Sequence, residues 1–512
     1  MNSVESFVAV SACNELAAAA GVRLAELGGN AVDAALAAIL VSQVSEPGMC
    51  ALAGGAYLTV APAGGEPITV DGGVAMPGLG LPAERFGRAV EDIEMAYGGG
   101  VTATVGYGSV ATPGGLAAYA AAHLRFGRAP WAEVLAPAVE VAREGFPLGR
   151  ASAYYLAYSH DSIFSRSADS HAALHDGDGA LLAEGAQVHI PHLADTLELL
   201  AEHGAVAFYT GEVAERIVED MAAHDGLVTA EDLARYRPAL RTSLAVTAGE
   251  WQLGTNPPPA IGGAALAAML TLLGGRPYGA WTPADVAHLI AVQDFVLRYR
   301  RDRLDTAEDR GAAAEELLAM VAAGGPMRLE APSTLNVSVV DSDGNACAVT
   351  ASDGYGSGVM VPGTGLWLNS ALGEPELNPH GLHALAPGSR LASNMAPTVG
   401  RRPDGAVLAV GSPGADRITT ALLQVLAGFT TGGLSLEQAI RWPRLHVRQG
   451  AEGAMVEHEE DLVLPDTGLP TRAHHPLAMY FGGVGAALFE PAGGLTAAGD
   501  PRRAAAIAVR AD

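Results

Sequence analysis

Hydroxyl, amide and glycine residues that could support nucleophilic acyl transfer are concentrated in one stretch of the sequence, Pro332–Gly414. Ser333 and Thr334 stand directly before Leu335–Asp341, whose alternating pattern is typical of a half-buried strand. The run Gly411-Ser412-Pro413-Gly414-Ala415 joins a predicted strand to a predicted helix, and a glycine turn there presents free N–H groups that suit an oxyanion. Each feature taken alone also has an ordinary structural explanation. The hydroxyl pair is typical of a strand start, and the glycine run is typical of a tight turn.

The charge balance and the basic residues exclude several other chemistries. The chain has 512 residues, with 30 Lys+Arg against 56 Asp+Glu, and a formal net charge of −26. It contains no lysine, which excludes a Schiff-base lysine, a pyridoxal-phosphate lysine and the lysine of a phosphate-binding P-loop. So acidic a chain is also a poor binder of phosphate backbones, and we expect no nucleic acid among its partners.

The sequence gives no signal for a metal, a cofactor or a membrane. The three cysteines lie far apart without CxxC spacing, and the pairs His474-His475 and His458-Glu459 lack the convergent spacing of metal ligands. The apolar stretches are too short to span a bilayer, and the first residues show no basic segment followed by an apolar run. We therefore expect no metal, no cofactor and no membrane contact, and a cytoplasmic location.

Strands and helices must bring the reactive segments together, and hydrophobic periodicity predicts where they lie. The strongest strand signal is a hairpin, Leu335–Asp341 and Ala346–Ser352, around a turn at residues 342–345. Helical periodicity dominates from Gly114 to about Ala322, and the polar segment Ser159–Gly185 is predicted as a mobile loop. Strands after a mostly helical half indicate stacked sheets covered by helices, an α+β fold. Further strands are predicted at Tyr57–Ala61, Pro67–Asp71, Gly365–Asn369, Met395–Arg401 and Ala406–Val410. Helices are predicted at Ala12–Leu27, Ala31–Val41, Leu116–Phe126, Trp131–Arg143, Leu193–His203, Val213–Ala223, Pro283–Tyr299, Ala312–Val321, Arg417–Gly428 and Leu436–Arg441.

Short motifs follow one another in a fixed order along nearly the whole chain. In the first two thirds they are Gly28-Gly29-Asn30-Ala31-Val32-Asp33-Ala34-Ala35, Glu46-Pro47, Thr112-Pro113-Gly114, Phe208-Tyr209-Thr210-Gly211 and Pro257-Pro258-Pro259. In the last third they are Ser338-Val339-Val340-Asp341, Pro362-Gly363-Thr364-Gly365, Asn394-Met395-Ala396-Pro397-Thr398, Gly411-Ser412-Pro413-Gly414 and Asp500-Pro501-Arg502. Together these motifs resemble the γ-glutamyltranspeptidase family of N-terminal-nucleophile (Ntn) hydrolases.

The resemblance implies a four-layer αββα sandwich and a precursor that cuts itself once. The matching junction lies between Ser333 and Thr334, which gives a large subunit of residues 1–333 and a small subunit of residues 334–512 within one αββα domain. Thr334 would be the nucleophile, with Ser333 as the alternative if the junction lies one residue earlier. A threonine hydroxyl is a poor nucleophile, but the freed α-amine of the same residue, with a pKa of about 8, can accept its proton. The implied partners are a small-molecule substrate and the cleaved subunit itself, with a dimer of heterodimers left open.

The resemblance also implies supporting catalytic roles. Gly414 and Ala415 match the pair whose backbone N–H groups form the oxyanion hole, a role that alanine can fill as well as glycine. Ser352 matches a hydroxyl that hydrogen-bonds the nucleophile. Thr350 precedes it by two residues and should therefore lie on the same face of the strand.

Substrate-binding roles follow in the same way. Ser393 and Asn394 stand where the family has a serine pair that binds the α-carboxylate of the substrate. Glu374 matches the acidic residue that holds the substrate's α-ammonium, and Asp353 stands where relatives place a substrate-binding amide.

Three departures from the family pattern bear on the substrate. The arginine that clamps the γ-glutamyl carboxylate is replaced by Gly73, Ala371 stands where a polar residue is usual, and the loop that carries Asp353 is about two residues shorter. Losing the charged partner of a buried carboxylate costs roughly 2–5 kcal/mol, which is enough to change the substrate class. Arg390 or Arg417 could replace the clamp from elsewhere in the chain.

Three functions remain open from the sequence. The first is a self-processing hydrolase of a small carboxylate-bearing metabolite that is not a standard γ-glutamyl compound. Its most specific form is implied by a resemblance to the biosynthetic branch of the family, whose members are associated with C–C bond hydrolysis in pathways to 4-alkylproline antibiotics of the lincomycin and pyrrolobenzodiazepine types. The second is a genuine γ-glutamyltransferase or glutathione hydrolase, and the third is an inactive relative with a binding or structural role.

Overall fold

Two stacked β-sheets form the centre of the protein. The structure, a computed structural model, describes residues 7–95, 101–278, 281–323, 334–450 and 453–511. Numbered in chain order, its strands are β1 (Val8–Ala12), β2 (Gly55–Ala61), β3 (Ile68–Gly72), β4 (Glu91–Met95), β5 (Val101–Val105), β6 (Phe146–Pro147), β7 (Gln187–Val188), β8 (Ala239–Thr242), β9 (Leu244–Ala248), β10 (Trp251–Thr255), β11 (Leu335–Asp341), β12 (Ala346–Ser352), β13 (Met360–Val361), β14 (Leu366–Trp367), β15 (Thr398–Arg401), β16 (Val407–Gly411), β17 (Leu445–Gly450), β18 (Gly453–Glu459), β19 (Thr471–His474), β20 (Gly485–Glu490), β21 (Gly494–Ala498) and β22 (Ala506–Arg510).

Helices cover the outer faces of both sheets. In chain order they are α1 (Glu15–Glu26), α2 (Ala31–Ser45), α3 (Gly115–Phe126), α4 (Trp131–Glu144), α5 (Arg150–Ser159), α6 (Ala168–Leu174), α7 (Leu193–His203), α8 (Val206–Tyr209), α9 (Glu212–Ala223), α10 (Ala230–Arg235), α11 (Ile261–Leu273), α12 (Pro283–Tyr299), α13 (Arg310–Ala323), α14 (Arg417–Thr430) and α15 (Leu436–Arg441).

The first sheet has the order β22-β1-β11-β12-β2-β3-β8, and the second has the order β21-β20-β16-β15-β10-β9. Helices α1, α2 and α3 pack on the outer face of the first sheet, and α11 and α14 pack on the second. The four-layer αββα sandwich and the α+β class that the resemblance implies are therefore confirmed.

The layer between the two sheets is built mainly from alanine. Along β11, Val337 and Val339 point to the helices, whereas Val340 points to the other sheet. Its buried neighbours in that layer are Ala9, Ala61, Ala346, Ala348, Val399, Val407, Ala409 and Ala487. Side chains this small let the two sheets approach closely while excluding water, because a protein interior is packed to near crystal density.

Local sequence signals explain where the elements begin. The Asn30 side chain accepts hydrogen bonds from the amides of Val32 and Asp33, and the carboxylate of Asp33 accepts one from the amide of Asn30. This capping box fixes the start of α2 at Ala31, as the sequence predicts. The predicted hairpin strands, Leu335–Asp341 and Ala346–Ser352, are confirmed residue for residue as β11 and β12.

Three predictions about local structure are wrong. The segment Ser159–Gly185 is not a loop throughout, because it contains α6 and a π-helical turn at His160–Phe164. The predicted strand Met395–Arg401 begins only at Thr398, after Pro397, which has no N–H to donate to a sheet. The middle of the chain, predicted to be mainly helical, also contains β8, β9 and β10. These strands have only four or five residues each, and their alternation of buried and exposed side chains is weaker than the helical periodicity on either side.

Candidate active site

Thr334 lies at the entrance to β11, in the middle of the first sheet. It is only 3% exposed and forms part of the wall of a small cavity. The same cavity brings together Ser352, Glu374, Ser393 and Asn394, four of the residues predicted to serve the nucleophile or the substrate. Its remaining lining residues are Gly55, Gly73, Val74, Gly354, Ala371, Leu377, Ala392 and Met395. We call it the acyl cavity.

Ser352 stands beside Thr334 because of the register of the central hairpin. Leu335 pairs with Ala351 and Asn336 pairs with Thr350, so the next position in the ladder sets Ser352 opposite Thr334. The Ser352 hydroxyl accepts a hydrogen bond from the amide of Gly354 at 3.2 Å. Its place suits a hydroxyl that orients the nucleophile.

Two buried carboxyl groups lie next to each other on one side of the acyl cavity. Burial raises the pKa of Glu374 well above its usual range, and the nearby Glu376 and Asp353 raise it further. Burial also raises the pKa of Asp353 to about 8, although hydrogen bonds to backbone amides oppose the shift. Glu374 lines the cavity, but Asp353 lies behind it. Within the described residues neither forms an ion pair. Burial therefore favours the neutral acids in the empty cavity, and a bound cation would favour the ionised form of Glu374.

Ser393 and Asn394 form the opposite wall. The carbonyl oxygen of Ser393 accepts hydrogen bonds from the amides of Ile261 and Gly262, both at 3.0 Å, which anchor this segment to the start of α11. Both polar atoms of the Asn394 side chain are buried and have no hydrogen-bond partner among the described residues. A buried amide left unsatisfied is costly, so this side chain is poised to bind a polar ligand.

Gly414 and Ala415 lie at the turn between β16 and α14. Both have positive φ, +123° and +69°, and neither amide donates a hydrogen bond to a described residue. They do not line the acyl cavity, but the preceding Pro413 lines a neighbouring cavity together with Leu335 and Asn336. Pro413 therefore places this turn near the start of β11, and the oxyanion role of the two amides stays a prediction.

Two predicted site residues have other surroundings. Thr350 is fully buried, and its hydroxyl lies 3.1 Å from the carboxamide of Asn336 across the hairpin, so it does not line the acyl cavity. It can position the start of β11 but does not face the ligand space. Ser333, on the other side of the predicted junction, lies outside the described residues.

The space beside Gly73, the position predicted to lack the arginine clamp, is already filled. A Cβ atom on Gly73 would lie 2.6 Å from the hydroxyl of Tyr57, a buried residue on β2. Tyr57 pairs with Asp71 in the β2–β3 register, and Asp71 also accepts a hydrogen bond from the amide of Gly73. Tyr57 was not among the predicted site residues. It stands two residues after Gly55 and therefore on the same strand face, which could have indicated its place next to the cavity.

Neither candidate arginine replaces the clamp. Arg390 donates to the carbonyl oxygens of Gly73 and Arg237, both at 2.6 Å, and stacks over Tyr236, facing away from the acyl cavity. Arg417 is paired with Asp416 at 2.8 Å. The described wall of the acyl cavity contains no arginine or histidine.

Adding a side chain at Gly73 should destabilise the protein through Tyr57. Gly73→Ala is expected to lower the free energy of unfolding by about 1–3 kcal/mol, the usual cost of overpacking a filled interior. In a Tyr57→Phe background the cost should fall, because the colliding hydroxyl is gone. Urea unfolding of the four proteins in this double-mutant cycle measures the coupling, and equal costs in both backgrounds would contradict the steric explanation.

The raised pKa of Asp353 predicts a pH-dependent gain in stability when its charge is removed. The folded state keeps this carboxyl protonated up to about pH 8, whereas the unfolded chain releases the proton near pH 4. The folded state therefore binds more protons between these limits, and this group lowers stability as pH rises by about 1 kcal/mol per unit. Asp353→Asn should thus stabilise the protein more at pH 8 than at pH 5.

Urea unfolding at several pH values tests this expectation, ideally in uncut protein so that one chain unfolds. The exposed Asp461→Asn is the matched control for the substitution itself. A stability difference between Asp353→Asn and the parent that is constant from pH 5 to 8 would contradict the assignment.

Neither membrane spans nor metal clusters are found in the described part of the chain. No helix there is long and apolar enough to cross a bilayer. Nor do three or more His, Cys, Asp or Glu side chains in the described ranges converge as a metal-binding group would require.

Comparisons with known proteins agree on one family and one fold. The sequence model of the family described as Gamma-glutamyltranspeptidase matches residues 17–323 and 299–510. The acylase ACY 1 proenzyme of Pseudomonas sp. (strain V22) is 30% identical, over 94% of this chain and 90% of the relative. The structure of cephalosporin acylase from Bacillus halodurans superposes with a TM-score of 0.81 at 24% identity, covering 99% of this chain and 96% of that one. The structure of LmbA2991T421A superposes with a TM-score of 0.79 at 23% identity, covering 98% of both chains. The two structural likenesses establish the shared fold.

Proposed function

Because this chain belongs to the γ-glutamyltranspeptidase family of Ntn hydrolases, we propose that it cuts itself between Ser333 and Thr334 and then uses Thr334 as an acyl-forming nucleophile. The large subunit would comprise residues 1–333 and the small subunit residues 334–512, held together as one heterodimer. The observation that carries the proposal is that Thr334, Ser352, Glu374 and Asn394 line one cavity. The proenzyme name of the acylase relative supports the self-cleavage.

The reaction would proceed in two steps at the same atom. The Thr334 hydroxyl adds to the substrate's carbonyl carbon while the freed α-amine of Thr334 accepts its proton. The backbone amides of Gly414 and Ala415 hold the resulting oxyanion, and one such donor is typically worth about 3 kcal/mol in the barrier. When the intermediate collapses, the leaving group takes that proton from the ammonium and departs, and water then releases the acyl group as an acid by the reverse sequence.

The walls of the cavity favour a substrate other than a standard γ-glutamyl compound. On the described wall, a carboxylate would have only the neutral hydrogen-bonding groups of Ser393 and Asn394, since that part of the lining includes no arginine. An ammonium group would meet the buried carboxyl of Glu374, with Asp353 behind it. The rest of the lining is apolar, including Val74, Leu377 and Met395. A small, compact amino or imino acid with an apolar body fits these walls.

The most specific form of the proposal is hydrolysis of a C–C bond in the biosynthesis of a 4-alkylproline antibiotic unit of the lincomycin or pyrrolobenzodiazepine type. Thr334 would add to a ketone carbon conjugated with an enamine. The C–C bond would break toward the enamine side, whose carbanion is stabilised by conjugation and is then protonated. A proline-like ring supplies the imino group, the carboxylate and the apolar body that the cavity suits.

Three alternative functions are compatible with the same cavity. An acylase would cleave the C–N bond of an amide by the same steps. If the substrate is an amide, the acylase relative favours this function over γ-glutamyl transfer. A genuine γ-glutamyltransferase or glutathione hydrolase would have to hold its carboxylate without a charged partner. An inactive relative with a binding or structural role would keep the cavity but not cut itself.

Release of p-nitroaniline from γ-glutamyl-p-nitroanilide separates these readings. We expect the purified, processed enzyme to release it slowly or not at all, while mass spectrometry of the small subunit shows an acyl adduct on Thr334 with a reactive non-γ-glutamyl acyl donor. Brisk release would favour the γ-glutamyl reading instead. A small subunit that never forms an adduct, or no small subunit at all, would favour the inactive relative.

A further inference from the structure

A second cavity lies beside the start of the nucleophile strand and is separate from the acyl cavity. It is small and is bounded by Leu335 and Asn336 on β11 and by Pro413 next to the oxyanion turn. It shares no lining residue with the acyl cavity. Above it opens a surface cleft of about 1480 Å³, and Ala151 and Arg503 line both spaces. Arg503 therefore stands where the outer cleft meets the inner cavity.

Arg503 is a buried cation whose side chain has no ion-pair partner among the described residues. It is 7% exposed, its backbone amide donates to the carbonyl oxygen of Asp500 at 3.2 Å, and its guanidinium forms no hydrogen bond with a described residue. Its Nε is sealed from solvent and unsatisfied. The adjacent Arg502, by contrast, is paired with Glu459 and with Asp500. An uncompensated guanidinium in a protein interior is costly, so a bound anion is the natural partner of Arg503.

The acid across the inner cavity does not supply that partner. Glu46 accepts hydrogen bonds from Asn14 Nδ2 at 2.8 Å and from the Ser152 hydroxyl at 2.7 Å. Burial raises the pKa of Glu46, although the charge of Arg503 opposes the shift. Glu46 thus has its own hydrogen-bond partners and leaves the guanidinium of Arg503 open to a ligand.

The outer cleft is cationic in a strongly acidic protein. Arg150, Arg472 and Arg503 line it, of which Arg472 is paired with Glu457 at 3.3 Å, and its described lining includes no aspartate or glutamate. The net charge of the chain is −26, so a basic cleft concentrates anions against the field of the rest of the molecule. Two of its wall residues are exposed and largely apolar, Tyr154 at 58% and Leu477 at 38%.

We propose that Arg503 is the anchor of a second ligand site, which binds a small carboxylate with an apolar or aromatic body through the outer cleft. The planar guanidinium pairs with a carboxylate through two parallel hydrogen bonds. The body of the ligand lies along Tyr154 and Leu477, while Arg150 adds positive charge beside it. The site concerns binding alone and does not depend on the chemistry of Thr334.

Isothermal titration with 3-phenylpropionate tests the site, with 3-phenylpropanamide as the uncharged match and inorganic phosphate as an anion without an apolar body. We expect 3-phenylpropionate to bind the processed protein and the uncut Thr334→Ala protein alike, and to bind at least tenfold more tightly than either other probe. Arg503→Met should weaken binding at least tenfold without lowering the melting temperature, because the buried charge it removes has no partner. Arg143→Met, at an exposed arginine on α4, is the matched control and should change nothing.

Several results would overturn the proposal. These are the absence of 3-phenylpropionate binding, equal binding by Arg503→Met, equal binding of the amide, and phosphate binding as tight as that of the carboxylate. If Arg503→Met does not fold, Arg503→Lys decides. It keeps the charge but not the two-pronged geometry, and it should weaken binding at least threefold.

Discussion

Thr334→Ala is expected to yield one uncut chain of 52.1 kDa and no measurable turnover, whereas the parent protein yields two chains. At ordinary residue mass the two should run at roughly 34 and 18 kDa on a denaturing gel. Both effects have one cause, because the hydroxyl that attacks the chain's own peptide bond later attacks the substrate. Removing a nucleophile of this kind lowers kcat by roughly a thousandfold or more.

Amino-terminal sequencing of the small chain should read Thr-Leu-Asn, beginning at Thr334. Thr334→Ser should retain slow processing, because it keeps a hydroxyl at the same place. Thr196→Ala is the matched control, since Thr196 is equally buried but donates to the carbonyl oxygen of Thr364 away from the acyl cavity. A small chain beginning at Ser333, or normal turnover in Thr334→Ala, would overturn the assignment of the nucleophile.

Glu374→Gln is expected to lower kcat/KM for an amine-bearing substrate by about 30-fold or more, which corresponds to losing the partner of a buried charge. Glu374 is the acidic side chain on the described wall of the acyl cavity, and no arginine or histidine there competes for it. The loss should appear mainly in KM, because an ammonium group is held equally in the ground state and the transition state. The variant should remain folded and processed, since the amide keeps the shape of an acid that burial already disfavours as an anion.

Glu376→Gln provides the matched control, two residues along the chain and off the cavity wall. Steady-state kinetics of the two variants with the same substrate give the comparison. Equal losses in both would show that the general negative potential matters and not a contact with Glu374. An unchanged KM in Glu374→Gln would show that the substrate carries no cation at this position.

The parts of the fold that sequence reasoning predicted well are those with strong local signals. The hairpin of β11 and β12 has strict alternation around an Asp-Gly turn, and α12 has a proline at its start behind the capping residue Thr282. The ordered motifs then placed Thr334, Ser352, Glu374, Ser393 and Asn394 in one site, and the structure does bring these five to one cavity.

The rest depends on contacts between distant segments. Tyr57 reaches Gly73 only because β2 and β3 pair in one register, and no local pattern shows that its hydroxyl occupies the space of a missing side chain. Arg503 follows an arginine with two ion-pair partners, so its own isolation is visible only in three dimensions. Thr350 lies on a strand next to the site, but its partner across the hairpin turns it away from the ligand.

The two halves of the reaction centre belong to different sheets. Thr334 leads into the first sheet, and the amides of Gly414 and Ala415 follow a strand of the second, so no single element fixes the distance between attacking oxygen and anion-stabilising donors. That distance is set by the thickness of the alanine-rich layer between the sheets. A bulkier residue deep in that layer would increase the separation of the two sheets, and with it the distance between nucleophile and donors. Such a substitution would slow the chemistry although it contacts no reacting group.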